Sequence, residues 1–158
     1  MLLLRTVIFT VLIPGTVTVA VPYVLLHSDA GCAVGIGPVL RLFGLLPLSA
    51  GVTVYLWCAW DFARSGKGTP APYDPPQFLV TRGLYRFTRN PIYVGVGLII
   101  VGEALLFDSI PLLGYAVLLL SLFHLRVVRY EEPRLRTKFG TDYQQYCLAV
   151  PRWLPHLR

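Results

Sequence analysis

Residues 92–128 read IYVGVGLIIVGEALLFDSIPLLGYAVLLLSLFHLRVV. Two apolar runs, 92–107 and 110–128, are parted only by Asp108 and Ser109. At about 1.5 Å of rise per residue, each covers most of a hydrocarbon core roughly 30 Å thick. Two residues leave room for a turn and nothing more, so the pair predicts a tight helical hairpin. Pro111 suits the first turn of the returning helix, where its missing N–H has no intrahelical partner to lose.

Outward from the hairpin, further apolar runs occupy 6–26 and 39–62. The chain of 158 residues is 55% hydrophobic and only 14% charged, with a mean hydropathy of +0.62. A soluble domain carries about 25% charged residues, so these charges could not coat a globule of this size. Lipid is the solvent the composition suits. The 6–26 run is longer than the roughly 7–15 apolar residues of a cleavable signal, so it reads as a retained helix. Pro14, Pro22 and Pro47 interrupt the first two runs, which membrane helices tolerate when neighbours satisfy the freed carbonyls. The expected fold is a single all-α integral membrane domain over 1–158. It has about four transmembrane helices, a C-terminal helical hairpin and short cytoplasmic or interfacial helices.

Lysine and arginine sort by side. Thirteen of the fourteen lie at Arg5, within 61–91, or from Arg126 onward, and only Arg41 stands toward the other face. The positive-inside rule puts both termini and the 61–91 loop in the cytoplasm, with the Asp108 turn and the 27–38 loop outside. Four spans satisfy that parity. The net charge of +6 is thereby explained by membrane topology, and no nucleic-acid partner is expected. Cys32, Cys58 and Cys147 form no CxxC pair and no metal-ligand spacing, so they read as small hydrophobes and no metal site is expected.

Chemistry should therefore lie on the cytoplasmic side. The loop from Arg64 begins Gly- and Pro-rich and irregular. It then gathers Tyr85, Arg86, Arg89 and Tyr93 around Pro91, which opens the third span. A helix N-terminus attracts anions, and arginines beside it can hold a carboxylate or phosphate by paired hydrogen bonds. Contact with anionic lipid heads and an aromatic interface belt explain the same residues equally well. Gly95-Val96-Gly97 offers either exposed backbone for a ligand or close helix packing.

In the tail, Pro133 suits the start of a short helix and Gly140 its end. Thr141-Asp142-Tyr143-Gln144 then reads as a capping box, placing Tyr143 and Tyr146 on one face. Glu131 and Glu132 stand among arginines at the membrane surface. They could form salt bridges or bind a cationic or ribose-bearing ligand. Glu103, inside the third span, reads as a pairing or snorkelling residue near the outer end.

Together, GLYRFTRNPIYVG at 83–95, Glu131-Glu132, FGTDYQQY at 139–146 and Val150-Pro151-Arg152 resemble a known signature. It belongs to the isoprenylcysteine carboxyl methyltransferase and phospholipid methyltransferase superfamily, whose pattern is G-x-Y-x-x-x-R-H-P-x-Y-x-G followed by a double Glu. Gly-Thr-Pro-x-Pro at 68–72 looks like a feature of bacterial members. One position departs: the usual His is Asn90, which hydrogen-bonds but does not titrate.

The resemblance implies S-adenosylmethionine as cofactor, bound on the cytoplasmic side. Tyr85, Arg89, Asn90, Pro91, Tyr93, Gly95 and Gly97 would form one wall of its site, and Glu131, Glu132, Tyr143 and Tyr146 the other. Arg89, Glu131 and Tyr85 would carry the catalytic work. The implied reaction is an in-line displacement in which the protein holds two reactants collinear and excludes water. The implied acceptor is a lipophilic or lipid-modified molecule reached through the membrane, in contact with membrane lipids. No strand–GxGxxG–helix unit is present for a soluble nucleotide site. An NADPH-dependent membrane reductase of the sterol type, whose tail looks similar, is one alternative. A non-catalytic membrane binding module is the other.

Overall fold

A computed structural model describes residues 12–28, 33–65 and 79–154, with the side chains of 62–65 excepted. The elements are α1 (Leu12–His27), α2 (Pro38–Leu42), α3 (Leu45–Ser65), a 3₁₀ turn (Gly83–Arg86), α4 (Pro91–Leu106), α5 (Ile110–Arg126) and α6 (Glu132–Ala149). Among the described residues there is no strand, only an isolated bridge between Ala33 and Ser109. Two helical stretches, Pro38–Asp61 and Ile110–Ala149, are long and apolar enough to cross a membrane, while Leu12–His27 and Pro91–Leu106 are shorter apolar helices. Residues 6–11 and the 68–72 motif lie outside the described residues.

In α1, Pro22 has no N–H to give the carbonyl of Thr18. The backbone widens instead into a π turn over Thr16–Ala20, where the Val21 N–H reaches the Thr16 carbonyl. The Thr18 hydroxyl donates back to the Pro14 carbonyl at 2.8 Å.

The closest helix contact is between α3 and α4. Gly51 lies against Gly95, and Gly44, just before α3, lies against Gly102. A Cβ on Gly102 would stand 2.6 Å from the Leu48 nitrogen, and one on Gly51 would stand 2.6 Å from the Gly95 carbonyl oxygen. The two antiparallel glycine pairs let the backbones touch, as small residues do between membrane helices. Tyr55, Val96, Ile100, Ala116 and Leu119 form the core between α3, α4 and α5. Leu56, Trp57, Trp60, Val117 and Leu118 face outward and exposed.

The hairpin is as tight as expected. Pro91 and Pro111 stand in the first turns of α4 and α5, and the Ser109 hydroxyl accepts from the Leu112 N–H. Asp108 makes the turn with φ +53°. Its buried carboxylate accepts from Arg41 Nη2 at 2.6 Å and from the Ile36 N–H at 3.1 Å. The 33–37 segment is thus tied to the hairpin tip, a link the sequence did not announce.

The tail departs from expectation at one end. Pro133 was expected to open a separate short helix. Instead α5 runs through a π turn, Val127–Glu131, straight into α6. Pro133 still sits in the first turn of α6, where the wider π turn precedes its missing N–H. The second expected break is present: Gly140 has φ +51° and ψ −123°, splitting α6 in two. Beyond it Tyr143, Tyr146 and Val150 form a small second core with Leu79, Leu135, Phe139 and Cys147.

Candidate active site

The two glutamates straddle the junction of π turn and α6. Neighbouring residues on a helix point about 100° apart, so they face different partners. Glu131 turns toward the bundle. It accepts from the Tyr93 hydroxyl of α4, and Arg126 Nε of α5 donates to the same oxygen at 2.9 Å. Glu132 turns toward the tail and is only 5% exposed. Arg152 Nε donates to its Oε1 at 2.6 Å and Arg152 Nη2 to its Oε2 at 3.0 Å. Arg89 Nη1 stands 3.2 Å from Oε1, and Arg136 4.0 Å from Oε2.

Burial alone would push the Glu132 carboxyl up. The Arg152 hydrogen bonds, with the charges of Arg89, Arg152 and Arg136, outweigh it and hold the carboxyl below its ordinary value. The same bonds raise Arg152. Glu132 is therefore an anion at neutral pH, available for charge and not for proton storage.

Arg89 reaches the site from the segment just before α4. Its N–H is tied to the Pro151 carbonyl at 3.0 Å, and its Nη1 donates to Cys147 Sγ at 2.7 Å. Its Nε is buried and has no hydrogen-bond partner among the described residues. Asn90, at the N-cap of α4, does not cap the helix with its side chain. Its Nδ2 donates to the Arg152 carbonyl at 3.0 Å, as does the Thr88 hydroxyl at 3.1 Å.

The 3₁₀ turn brings in Tyr85. Gly83, at φ +60°, seats this turn on the end of α3. A Cβ there would lie 2.3 Å from Asp61 Oδ2. The Tyr146 hydroxyl donates to the Tyr85 carbonyl at 2.6 Å. Burial, then the neighbouring Cys58, Tyr146, Glu131 and Tyr93, push the Tyr85 phenol far above its ordinary value. At neutral pH it can donate a proton in a hydrogen bond but does not act as a base. Tyr143, pushed up to about 12 by burial and then by Cys147 and Glu132, stays protonated too.

Tyr85, Arg89, Asn90, Pro91, Tyr93, Glu131, Glu132, Tyr143 and Tyr146 thus come together where α4, the π turn and α6 meet. Gly95 and Gly97 do not join them. Gly95 packs on the α3 backbone, and a Cβ on Gly97 would meet Leu120 of α5 at 2.7 Å. Both glycines stand at helix–helix contacts. Arg86 also stays outside, exposed beside the Phe87 ring. Arg126, Cys147 and Arg152 belong to the cluster though no single-residue signal marked them. The Val-Pro-Arg at 150–152 was the one pointer to Arg152. Among the described residues no three His, Cys, Asp or Glu side chains are grouped to hold a metal ion.

Part of this arrangement, up to residue 142, sits inside a stretch with known counterparts. Residues 39–142 match the sequence profile of phospholipid methyltransferases. The chain belongs to the phospholipid methyltransferase family. Protein-S-isoprenylcysteine O-methyltransferase B of Arabidopsis thaliana is 36% identical over 78 residues, covering 49% of this chain and 39% of that protein. The protein-S-isoprenylcysteine O-methyltransferase of Schizosaccharomyces pombe is 36% identical over 78 residues, 49% of this chain and 33% of that protein. The cobalt-zinc-cadmium resistance protein CzcN of Cupriavidus metallidurans is 28% identical over 122 residues, 77% of this chain and 52% of that protein. The chain spans about half the length, or less, of these curated relatives. Within the family segment lie α4, the π turn and the double glutamate, while Arg152 falls beyond the match.

Proposed function

We propose that this protein is an S-adenosylmethionine-dependent methyltransferase that works at the cytoplasmic membrane face on a lipophilic acceptor. The observation that carries the reading is the buried Nε–H of Arg89, unpartnered among the described residues, at the N-terminus of α4 and beside the carboxylate of Glu132. An orphaned buried donor costs roughly 1–3 kcal/mol, so the site suits a ligand with a carboxylate to accept that hydrogen bond. S-adenosylmethionine has one, with an amino group, ribose hydroxyls and a sulfonium that suit carboxylates and tyrosine rings. When bound it supplies an activated methyl group on sulfur.

The chain's own residues then bind and orient. Arg89 would take the carboxylate. Glu131, steadied by Tyr93 and Arg126, and Glu132, steadied by Arg152, would meet the cationic and hydroxyl parts. Tyr85, Tyr143 and Tyr146 would wall the site against water. Glu131 is the carboxylate left to accept a proton where the acceptor is an amine. A carboxylate acceptor needs no base.

Four spans with both termini and the site in the cytoplasm fit the sorting of lysine and arginine. An apolar groove of about 580 Å³ runs between α1, α3 and α4, lined by Pro14, Val19, Val52, Tyr55, Val96 and Ile99. It is suited to the hydrocarbon tail of a prenylated or acylated acceptor. Its Tyr55 end is one helical turn from Cys58, which neighbours Tyr85.

The test is cofactor titration of the purified, detergent-solubilised protein with S-adenosylmethionine, S-adenosylhomocysteine and NADPH, on the parent and on Arg89→Gln. The expected result is saturable binding of both adenosyl ligands, weakened at least about tenfold in the variant, the loss of one charge-assisted hydrogen bond. Binding of NADPH alone would move the protein to the reductases. Absence of binding in folded protein would overturn the enzymatic reading.

A further inference from the structure

We propose that Arg152 is a positioning residue of this site, holding Glu132 in a two-pronged grip so that Arg89 stays open to the cofactor's carboxylate. The inference rests on the S-adenosylmethionine reading above. Glu132 faces three guanidinium groups, and they do not share it equally; Arg136 stands off at 4.0 Å. Arg152 takes both oxygens, at 2.6 and 3.0 Å. Arg89 approaches one oxygen at 3.2 Å, spends the same nitrogen on Cys147, and keeps its Nε unpartnered among the described residues.

A guanidinium and a carboxylate meet best as a parallel fork, and one fork on both oxygens leaves only the remaining lone pairs for a second guanidinium or a ligand. Remove Arg152 and the buried Glu132 anion has Arg89, at 3.2 Å, as its nearest remaining cation among the described residues. Arg89 would close on it and consume the donors that a ligand carboxylate needs. Arg152 therefore acts through Glu132 and Arg89, without having to touch the cofactor.

The grip is built into the backbone. The Arg152 carbonyl accepts from Asn90 Nδ2 and the Thr88 hydroxyl, and the Pro151 carbonyl from the Arg89 N–H. The next residue is tied as well, with Trp153 Nε1 donating to His124 Nδ1 at 3.2 Å. The segment that carries Arg89 thus also anchors the residue that releases it. This gives Asn90 a task that needs an N–H donor and no titration.

A double-mutant cycle tests the inference, with S-adenosylhomocysteine titrated calorimetrically into the full chain in detergent. The proteins are the parent, Arg152→Gln, Glu132→Gln and the double variant, each checked for helicity and cooperative melting. Arg152→Gln is expected to weaken binding about tenfold or more. The double variant is expected to bind no worse than Glu132→Gln, because no carboxylate remains to capture Arg89; such non-additivity marks coupled residues. Arg152→Lys keeps the charge but loses the fork, and should fall between parent and Arg152→Gln. If Arg152→Gln does not fold, Arg152→Lys carries the cycle with the same expected non-additivity. Additive losses, or Arg152→Gln equal to parent, would overturn the inference and leave the methyltransferase reading standing. A parent that binds neither adenosyl ligand would overturn both.

Discussion

Glu132 and Arg152, twenty residues apart, meet in a two-pronged ion pair that fastens the end of the described chain to the start of α6. Because Glu132 is buried, the pair cannot be broken from one side cheaply. Glu132→Ala would leave Arg89 and Arg152 facing each other without the anion between them. Removing one partner of a fully buried pair typically costs about 3–5 kcal/mol, and the 32% exposure of the Arg152 side chain puts this pair below that range. We expect a clear fall in melting temperature in detergent for Glu132→Ala, and a smaller one for Glu132→Gln, which keeps an acceptor oxygen. Equal melting of parent and alanine variant would mean that the pair is solvated.

The same carboxylate predicts a pH dependence. Its value in the folded protein lies below the ordinary 4.5. The unfolded chain therefore takes up the proton first as pH falls. The stabilisation is fully present above about pH 4.5 and is lost as pH drops through the lowered folded value. Melting temperature should hold between pH 7 and 5 and decline below 4.5. That decline should be shallower in Glu132→Gln, and a slope unchanged by the substitution would assign the acid sensitivity to other groups.

The glycines make a prediction that separates packing from ligand contact. A Cβ on Gly102 would stand 2.6 Å from the Leu48 nitrogen and 2.8 Å from the Gly44 carbonyl oxygen, both of them backbone atoms. A Cβ on Gly97 would instead meet the tip of the Leu120 side chain, which can rotate. Gly102→Ala should therefore destabilise by about 1–3 kcal/mol, the usual cost of overpacking, and Gly97→Ala by much less. Melting of the two variants side by side checks this. Equal losses would show that the helices re-space as a unit.

Much of this was legible because it rests on local chemistry. Asp108 and Ser109 between two apolar runs announce a hairpin, and Pro91 and Pro111 mark the first turns of its helices. Gly140 announces a break because its φ of +51° is a conformation other residues avoid. What was not legible depends on distance. Nothing local links Glu132 to Arg152, or Arg41 to Asp108; those pairs exist only after the helices have packed. Pro133 misled because proline marks a helix start equally well after a loop or after a π turn. Gly95-Val96-Gly97, with its spacing of two, leaves packing and ligand contact both open. The informative spacing was seven, Gly44 to Gly51 against Gly95 to Gly102, and it shows only when two helices are compared.

The four-span topology makes the last prediction. Two helical stretches are long enough to cross a membrane and two apolar helices are shorter, so sidedness decides whether the shorter ones also cross. If all four do, the Asp108 turn faces outward and the arginine-rich start of α6 inward. Phe107 is 55% exposed beside that turn, and Arg134 is exposed on α6. In a background with Cys32, Cys58 and Cys147 replaced by alanine, Phe107→Cys should react with a membrane-impermeant maleimide added to intact cells. Arg134→Cys should react only after permeabilisation. If both react without permeabilisation, α5 does not separate them across the bilayer. If neither does, the hairpin enters the membrane from the cytoplasmic side and returns, and neither α4 nor α5 completes a crossing.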